Sequence, residues 1–201
     1  DAVTVRLESA AVGGVRLAKT YTFRRGQYTI GVQHAVINGG DAPVSPQLYL
    51  QLLRDGTVPA GSMFMAPTSF TGPAMYTEAR HFQKVEFAAI EKSKADHDKS
   101  ADNGWVGMVQ HYFNSAWLVP AKGTREFRTA KVGENLYSIA MVLPLGTVEA
   151  GATATHEATL FAGPQEEKKL EALAPGLELV KDYGIFTVIA KPLFWLLDVI
   201  H

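Results

Sequence analysis

Gly104-Trp105-Val106-Gly107-Met108-Val109-Gln110-His111-Tyr112-Phe113-Asn114-Ser115-Ala116-Trp117-Leu118-Val119 decides the fold of this chain. Its two apolar runs, 104–112 and 116–119, are short and dense in Trp, Val, Met and Phe, and read as strands buried in a core. Moving upstream, Val3, Val5 and Leu7 alternate with Thr4, Arg6 and Glu8, as in a half-buried strand. Strands follow at 16–23 and 27–38, the second with Tyr28, Ile30, Val32 and Val36 on one face, and then the turn signal Asn38-Gly39-Gly40-Asp41. Leu48, Leu50 and Leu52 form the next apolar face. Residues 59–73, rich in Gly, Pro, Ser and Thr, read as a long loop or irregular edge. Residues 82–90 regain strand character, and 91–103, which carry both charges and no apolar residue except Ala, read as a mobile surface loop.

Downstream, 125–132 and 136–143 pair as a hairpin through Gly133-Glu134-Asn135. Residues 152–161 alternate once more, with Ala152, Ala154, His156, Ala158 and Leu160 on one face. The period then changes: Pro164 opens a helical stretch at 165–174, which Pro175-Gly176 stops. About ten short strands followed by helices predict an all-β sandwich at 1–163 with a helical C-terminal part at 164–201.

That helical part ends unusually. Residues 183–201 carry only two full charges, Lys191 and Asp198. Pro192 breaks the stretch into halves at 177–190 and 193–201, because it lacks an amide donor and crowds the carbonyl four residues back. Neither half reaches the roughly 20 apolar residues needed to cross a bilayer. On a helical wheel Thr187, Lys191 and Asp198 share a narrow stripe, while Leu193, Phe194, Trp195, Leu196, Leu197 and Ile200 cover the rest. This pattern suits a helix lying at a membrane–water interface. The alternative is a helix docked on the domain's own core, since burial of a large apolar side chain stabilises by roughly 1.5–3 kcal/mol in either setting.

Composition narrows the rest. With 201 residues and 47% hydrophobic content, one large β domain is within reach. The net charge of −1 leaves no electrostatic footprint for nucleic acid. The absence of cysteine disfavours a lipoprotein-type adhesion module and is compatible with either redox compartment. The start, Asp1-Ala2-Val3-Thr4, reads as a strand and not as a leader, so a fragment of a longer protein is expected.

Catalytic signals are weak. His97 between Asp96 and Asp98 has poor spacing for a metal, His34 lies on an apolar strand face where a hydrogen-bonded core histidine is expected, and His81, His111, His156 and His201 have no readable carboxylate partner. No nucleophile elbow, His-Glu-x-x-His motif or phosphate-cradling glycine loop occurs. Glu86, Glu126 and Glu157 lie on expected strands and could pair across a cleft only if the fold brought them together, solvated strand faces being the simpler reading. Trp105, Tyr112, Phe113 and Trp117 line either a ligand groove or the core, with the core favoured. No catalytic residue, metal or cofactor is assigned.

The segments 21–28 (YTFRRGQY) and 104–117, together with Asp182-Tyr183-Gly184 running to Pro192-Leu193-Phe194, resemble the periplasmic domain of YidC membrane protein insertases; shorter matches at 70–74 and at Gly163-Pro164 fall between them in order. The resemblance runs from about Thr20 to His201. It implies a mutarotase-like β-supersandwich with C-terminal helices packed on it, on the periplasmic side of a Gram-negative inner membrane. It further implies β-structure preceding Asp1, and an insertion groove that lies downstream of His201. Tyr183, Gly184, Phe186 and Pro192 would belong to the helical connector, and 193–201 to an interfacial helix leading to a transmembrane span. Partners implied are nascent membrane proteins and the SecD–SecF part of the Sec translocon, the latter placed by position on 70–103, with Phe70, Gly72, Pro73, Tyr76 and Phe82 as candidate contacts. The reading from another class is a carbohydrate-binding or mutarotase-like enzyme, which needs two of His34, Glu86, His111, Glu126 and Glu157 to converge in one pocket.

Overall fold

The computed structural model describes residues 1–57 and 70–181. In chain order the described strands are β1 (Ala2–Glu8), β2 (Val15–Arg24), β3 (Thr29–Asn38), β4 (Gln47–Asp55), β5 (Gly72–Thr77), β6 (His81–Lys84), β7 (Ser100–Ala101), β8 (Trp105–Val109), β9 (Phe113–Leu118), β10 (Arg125–Gly133), β11 (Leu136–Pro144) and β12 (Thr153–Pro164). Helix α1 (Phe87–Glu91) lies between β6 and β7; α2 (Glu167–Leu173) and a 3-10 turn (Leu177–Val180) follow β12.

The strands form two antiparallel sheets. The large one has eight strands in the order β1-β2-β3-β12-β9-β8-β5-β6, and the small one has four in the order β4-β11-β10-β7. The β10–β11 hairpin pairs as the sequence requires, from Glu126 opposite Val142 to Gly133 opposite Leu136. Leu48 and Leu50 of β4, Phe127 of β10, and Ile139 and Met141 of β11 face Met75, Val106 and Met108 of the large sheet to make the inter-sheet core. The other side of the large sheet carries a second core. There Ala74, Trp105, Val109, Ala116, Leu118 and Phe161 meet Leu170, Leu177 and Val180 of the C-terminal elements. Between the two cores lies β8, all five of whose residues are buried. That double burial is why its sequence does not alternate in polarity.

Several expectations need correction. Residues 82–90 are not one strand: after β6 the chain turns into α1, because Phe87 and Ile90, three apart, both reach the core from one helical face. Gly72 and Pro73 belong to β5 and not to a loop. Pro164 ends β12, and the helix starts at Glu167. The charged stretch 91–103 is no loose loop but is pinned at several points. Its His97 is buried, donates from Nδ1 to the Asp98 carbonyl (2.6 Å), and accepts at Nε2 from Thr129 Oγ1 (3.0 Å) and Lys99 Nζ (3.1 Å). Burial holds the His97 imidazole below its usual pKa, so the neutral ring is the form that suits these bonds. The Asp98 amide donates to Gln83 Oε1 (2.9 Å), Arg80 clasps Asp96 through two nitrogens (3.0 and 3.1 Å), and β7 pairs with β10.

Arg125 ties down the loop before β10. Its guanidinium, in a residue only 1% exposed, donates to the carbonyls of Gly104, Val119, Ala121 and Gly123. Four carbonyl acceptors replace the water lost on burial, which is what makes a buried cation tolerable there.

Candidate functional site

The most constructed surface feature is the corner through which the chain leaves the β body. Three side chains seat it, Leu170 of α2 and Leu177 and Val180 of the 3-10 turn, all at most 1% exposed. Trp105 Nε1 donates to the Pro175 carbonyl at 3.0 Å, tying the bend between α2 and the turn to β8. Gly176, in the left-handed region at φ 72°, lets the bend press on Tyr76: a Cβ there would lie 2.3 Å from the ring. Lys181 Nζ lies 3.7 Å from Glu167 Oε2, so the last described residue is held against α2. Beside the corner a cavity of about 360 Å³ is bounded by Tyr76, Trp105, Leu118, Pro120, Leu173 and Pro175, with Arg125 in its wall.

The candidate partner contacts divide. Gly72 and Pro73 are buried within β5, whereas Phe70, Tyr76 and Phe82 are half-buried against the outer core; Tyr76 and Phe82 lie 6.2 and 6.1 Å from Trp105, ring to ring. Glu78 and Lys94 are the kind of residue that 70–103 leaves exposed. Of the four aromatics, Trp105 is core, and half-buried Trp117 packs on the inter-sheet core and donates to the Gln51 carbonyl at 3.1 Å. Tyr112 and Phe113 are neither core nor groove. They are 69% and 57% exposed, because they fall where the chain turns from β8 into β9. Tyr183, Gly184, Phe186, Pro192, Leu193, Phe194, Trp195, Leu196, Leu197 and Ile200 lie outside the described residues.

No acid–base pair is assembled from the five candidates. Glu86 precedes α1, Glu126 is exposed and bonded to Arg128 Nη2 (2.6 Å), Glu157 stands opposite Gln33 in the β12–β3 ladder, and His111 sits edge-on to Tyr112 with centroids 4.0 Å apart. His34 converges instead with a histidine the sequence offered no reason to choose: the ladder sets it directly opposite His156, with Lys19 opposite it on the other side. His34 is 6% exposed, and its two ring nitrogens have no hydrogen-bond partner among the described residues, which corrects the expectation of a hydrogen-bonded core histidine. Burial, then the charges of Lys19 and His156, push its pKa down to about 4. Among the described residues no group of three or more His, Cys, Asp or Glu side chains could hold a metal ion.

A depressed histidine pKa means that the folded state resists protonation. The His34 contribution is therefore full above the ordinary value of 6.5 and is lost as pH falls from there toward 4. Urea denaturation of the parent chain and of His34→Leu at pH 7.5 and 4.5 should show their stability difference shift by on the order of 2 kcal/mol in favour of the variant at the lower pH. Parallel pH dependences would contradict this.

Comparison with known proteins places the chain. The family model described as the YidC periplasmic domain matches residues 1–196. The chain is 54% identical over 189 residues to a protein of Herminiimonas arsenicoxydans named membrane protein insertase YidC, covering 94% of this chain and 33% of that one. It is 53% identical over 202 residues to the protein of that name from Janthinobacterium sp. (strain Marseille), covering 100% of this chain and 35% of the relative. It thus spans about a third of the length of the relatives it matches. Among solved structures, a galactose mutarotase-like protein of Lactobacillus casei aligns with a TM-score of 0.47 at 12% identity, over 80% of this chain and 69% of the other. An α-galactosidase from Lactobacillus brevis aligns with a TM-score of 0.49 at 12% identity, over 82% and 23%. From the family match and the full-length relatives, the chain belongs to the YidC periplasmic domain family.

Proposed function

We propose that this chain is a non-catalytic periplasmic scaffold of a bacterial inner-membrane insertase and chaperone, one that inserts, folds and assembles membrane proteins alone or with the Sec translocon. Its part is mechanical: the β body acts as a rigid unit, the α2 corner fixes the direction in which the chain leaves it, and 193–201 rests on the outer leaflet. The single observation that carries this is the seating of Leu170, Leu177 and Val180 on the β8 face, which makes the exit an extension of the body. A tether of that kind transmits orientation, whereas a flexible linker would not. No helix among the described residues is long and apolar enough to cross a membrane. Nascent membrane proteins would be received by the remainder of the longer protein.

Contact with SecD–SecF, implied by family resemblance, is assigned to the exposed parts of 70–103, where Glu78 and Lys94 are accessible, in place of buried Gly72 and Pro73. Reversing both charges should lower SecF capture from detergent extracts, and undiminished capture would remove this assignment while leaving the membrane contact standing. The enzyme reading loses its main support because the candidate carboxylates and histidines do not meet.

The membrane contact is tested with Leu193→Ser, Phe194→Ser and Trp195→Ser combined. Removing three large apolar side chains subtracts roughly 4.5–9 kcal/mol of transfer free energy. Flotation with liposomes should be lost, while the far-UV circular dichroism of the β body stays unchanged. Persistent flotation would refute the interfacial role.

A further inference from the structure

One end of the large sheet gathers exposed aromatic and cationic side chains. The ladders define that end: Phe23 stands opposite Ile30, Thr29 opposite Phe161, Pro164 opposite Phe113, and Asn114 opposite Val109. The β2–β3 turn, the β8–β9 turn and the approach to α2 therefore lie side by side. Main-chain groups hold them together. The Gln165 amide donates to the Tyr112 carbonyl (3.0 Å), the Gln110 amide to the Phe113 carbonyl (2.9 Å), and the Ala162 amide to the Tyr28 carbonyl (2.9 Å); Gln165 Nε2 adds a bond to the Gln110 carbonyl (2.8 Å). The side chains at these turns are left over. Tyr112 and Phe113 are well exposed and Tyr28 is 46% exposed, at positions where turns ordinarily carry Gly, Asn, Asp or Ser.

Two further features point to what these rings meet. The first is charge. Arg24 and Arg25 are exposed at the β2–β3 turn, and Lys169 of α2 holds its Nζ 5.7 Å from the centre of the Tyr28 ring. The neighbouring carboxylates are each answered by a lysine, Glu166 by Lys169 (2.8 Å) and Glu167 by Lys181 (3.7 Å). The two arginines therefore tip this end to positive, in a chain whose net charge is −1. The second feature is the exit. Lys181 is held to Glu167, two residues beyond the Gln165 that fastens the β8–β9 turn, so the chain leaves the body beside Tyr112. Exposed aromatic rings next to cations suit the boundary of an anionic bilayer, where rings sit at headgroup level and cations meet phosphates.

We infer that the β8–β9 turn is a second bilayer contact of the β body itself: Tyr112 and Phe113 enter the headgroup region of an anionic membrane, with Tyr28, Arg24 and Arg25 beside them. The inference rests on the reading of this chain as a scaffold lying on the membrane, and it adds a point of support. A body held only through its exit segment rocks about that segment. A second contact, on a turn fastened to the start of α2, sets the tilt. The rings occupy the tips of two turns and not one continuous face, which suits insertion among headgroups better than the desolvated central patch of a protein interface.

The chain contains no cysteine, which makes site-directed labelling clean. Tyr112→Cys carries an environment-sensitive nitrobenzoxadiazole label, and Val12→Cys, 80% exposed between β1 and β2 at the other end of the sheet, serves as the control. Vesicles of phosphatidylethanolamine with phosphatidylglycerol are added to each. Emission at position 112 should move to the blue and rise about threefold or more, with position 12 unchanged. Flotation of the chain with no change at 112 overturns the turn contact and leaves that of 193–201 standing, whereas absence of flotation overturns both. An equal response to vesicles of phosphatidylcholine alone overturns the assignment to an anionic surface, and a response to an unfolded membrane protein in detergent but not to vesicles overturns it in favour of a polypeptide partner. An unlabelled variant combining Tyr112→Ser and Phe113→Ser gives a second reading. Both side chains are exposed and the turn is held by main-chain bonds, so far-UV circular dichroism should be unchanged while vesicle affinity falls about tenfold. Unchanged affinity overturns the proposal.

Discussion

The double burial of β8 is the constraint around which the molecule is arranged. Val106 and Met108 point into the inter-sheet core, while Trp105 and Val109 point into the core beneath the C-terminal corner. One five-residue strand therefore joins the small sheet, the large sheet and the exit of the chain into a single packed body. Leu170, Leu177 and Val180 each contribute roughly 1.5–3 kcal/mol through burial, as an upper estimate, against the entropy of ordering two short helical elements. Helices of this length are not stable alone, so the corner exists because the β8 face is there to receive it.

This has a mechanical consequence. The Trp105–Pro175 hydrogen bond and the Gly176 bend pressed on Tyr76 add direction to burial, which has none of its own. The chain through Lys181 is thereby fixed to the β body in direction as well as in position.

Much of the fold was legible because its signals are local. Alternation in β1, β3, β4 and β12, the continuous apolar run of β8, and the Pro175-Gly176 stop after α2 each state their structure within a dozen residues. What escaped depends on distant partners. Buried His97 is satisfied by Thr129, from another strand, so 91–103 read as loose when it is pinned. Helix α1 was hidden in a segment whose apolar residues suit a strand as well as a helical turn. The pairing of His34 with His156 arises from a register spanning more than a hundred residues, and no spacing rule announces it. The exposure of Val3 and Leu7 is a different case: their alternation reads correctly as a buried face, and the described residues provide no layer to bury it.

The central claim, that the exit corner and the β body are one cooperative unit, is tested most directly by native-state hydrogen exchange. The amides of Leu170 and Leu177, bonded to the carbonyls of Glu166 and Ala174, should open at the same free energy as that of Val106 in β8. If they exchange about a hundredfold faster or more, the corner opens on its own and the account of a rigid exit is wrong.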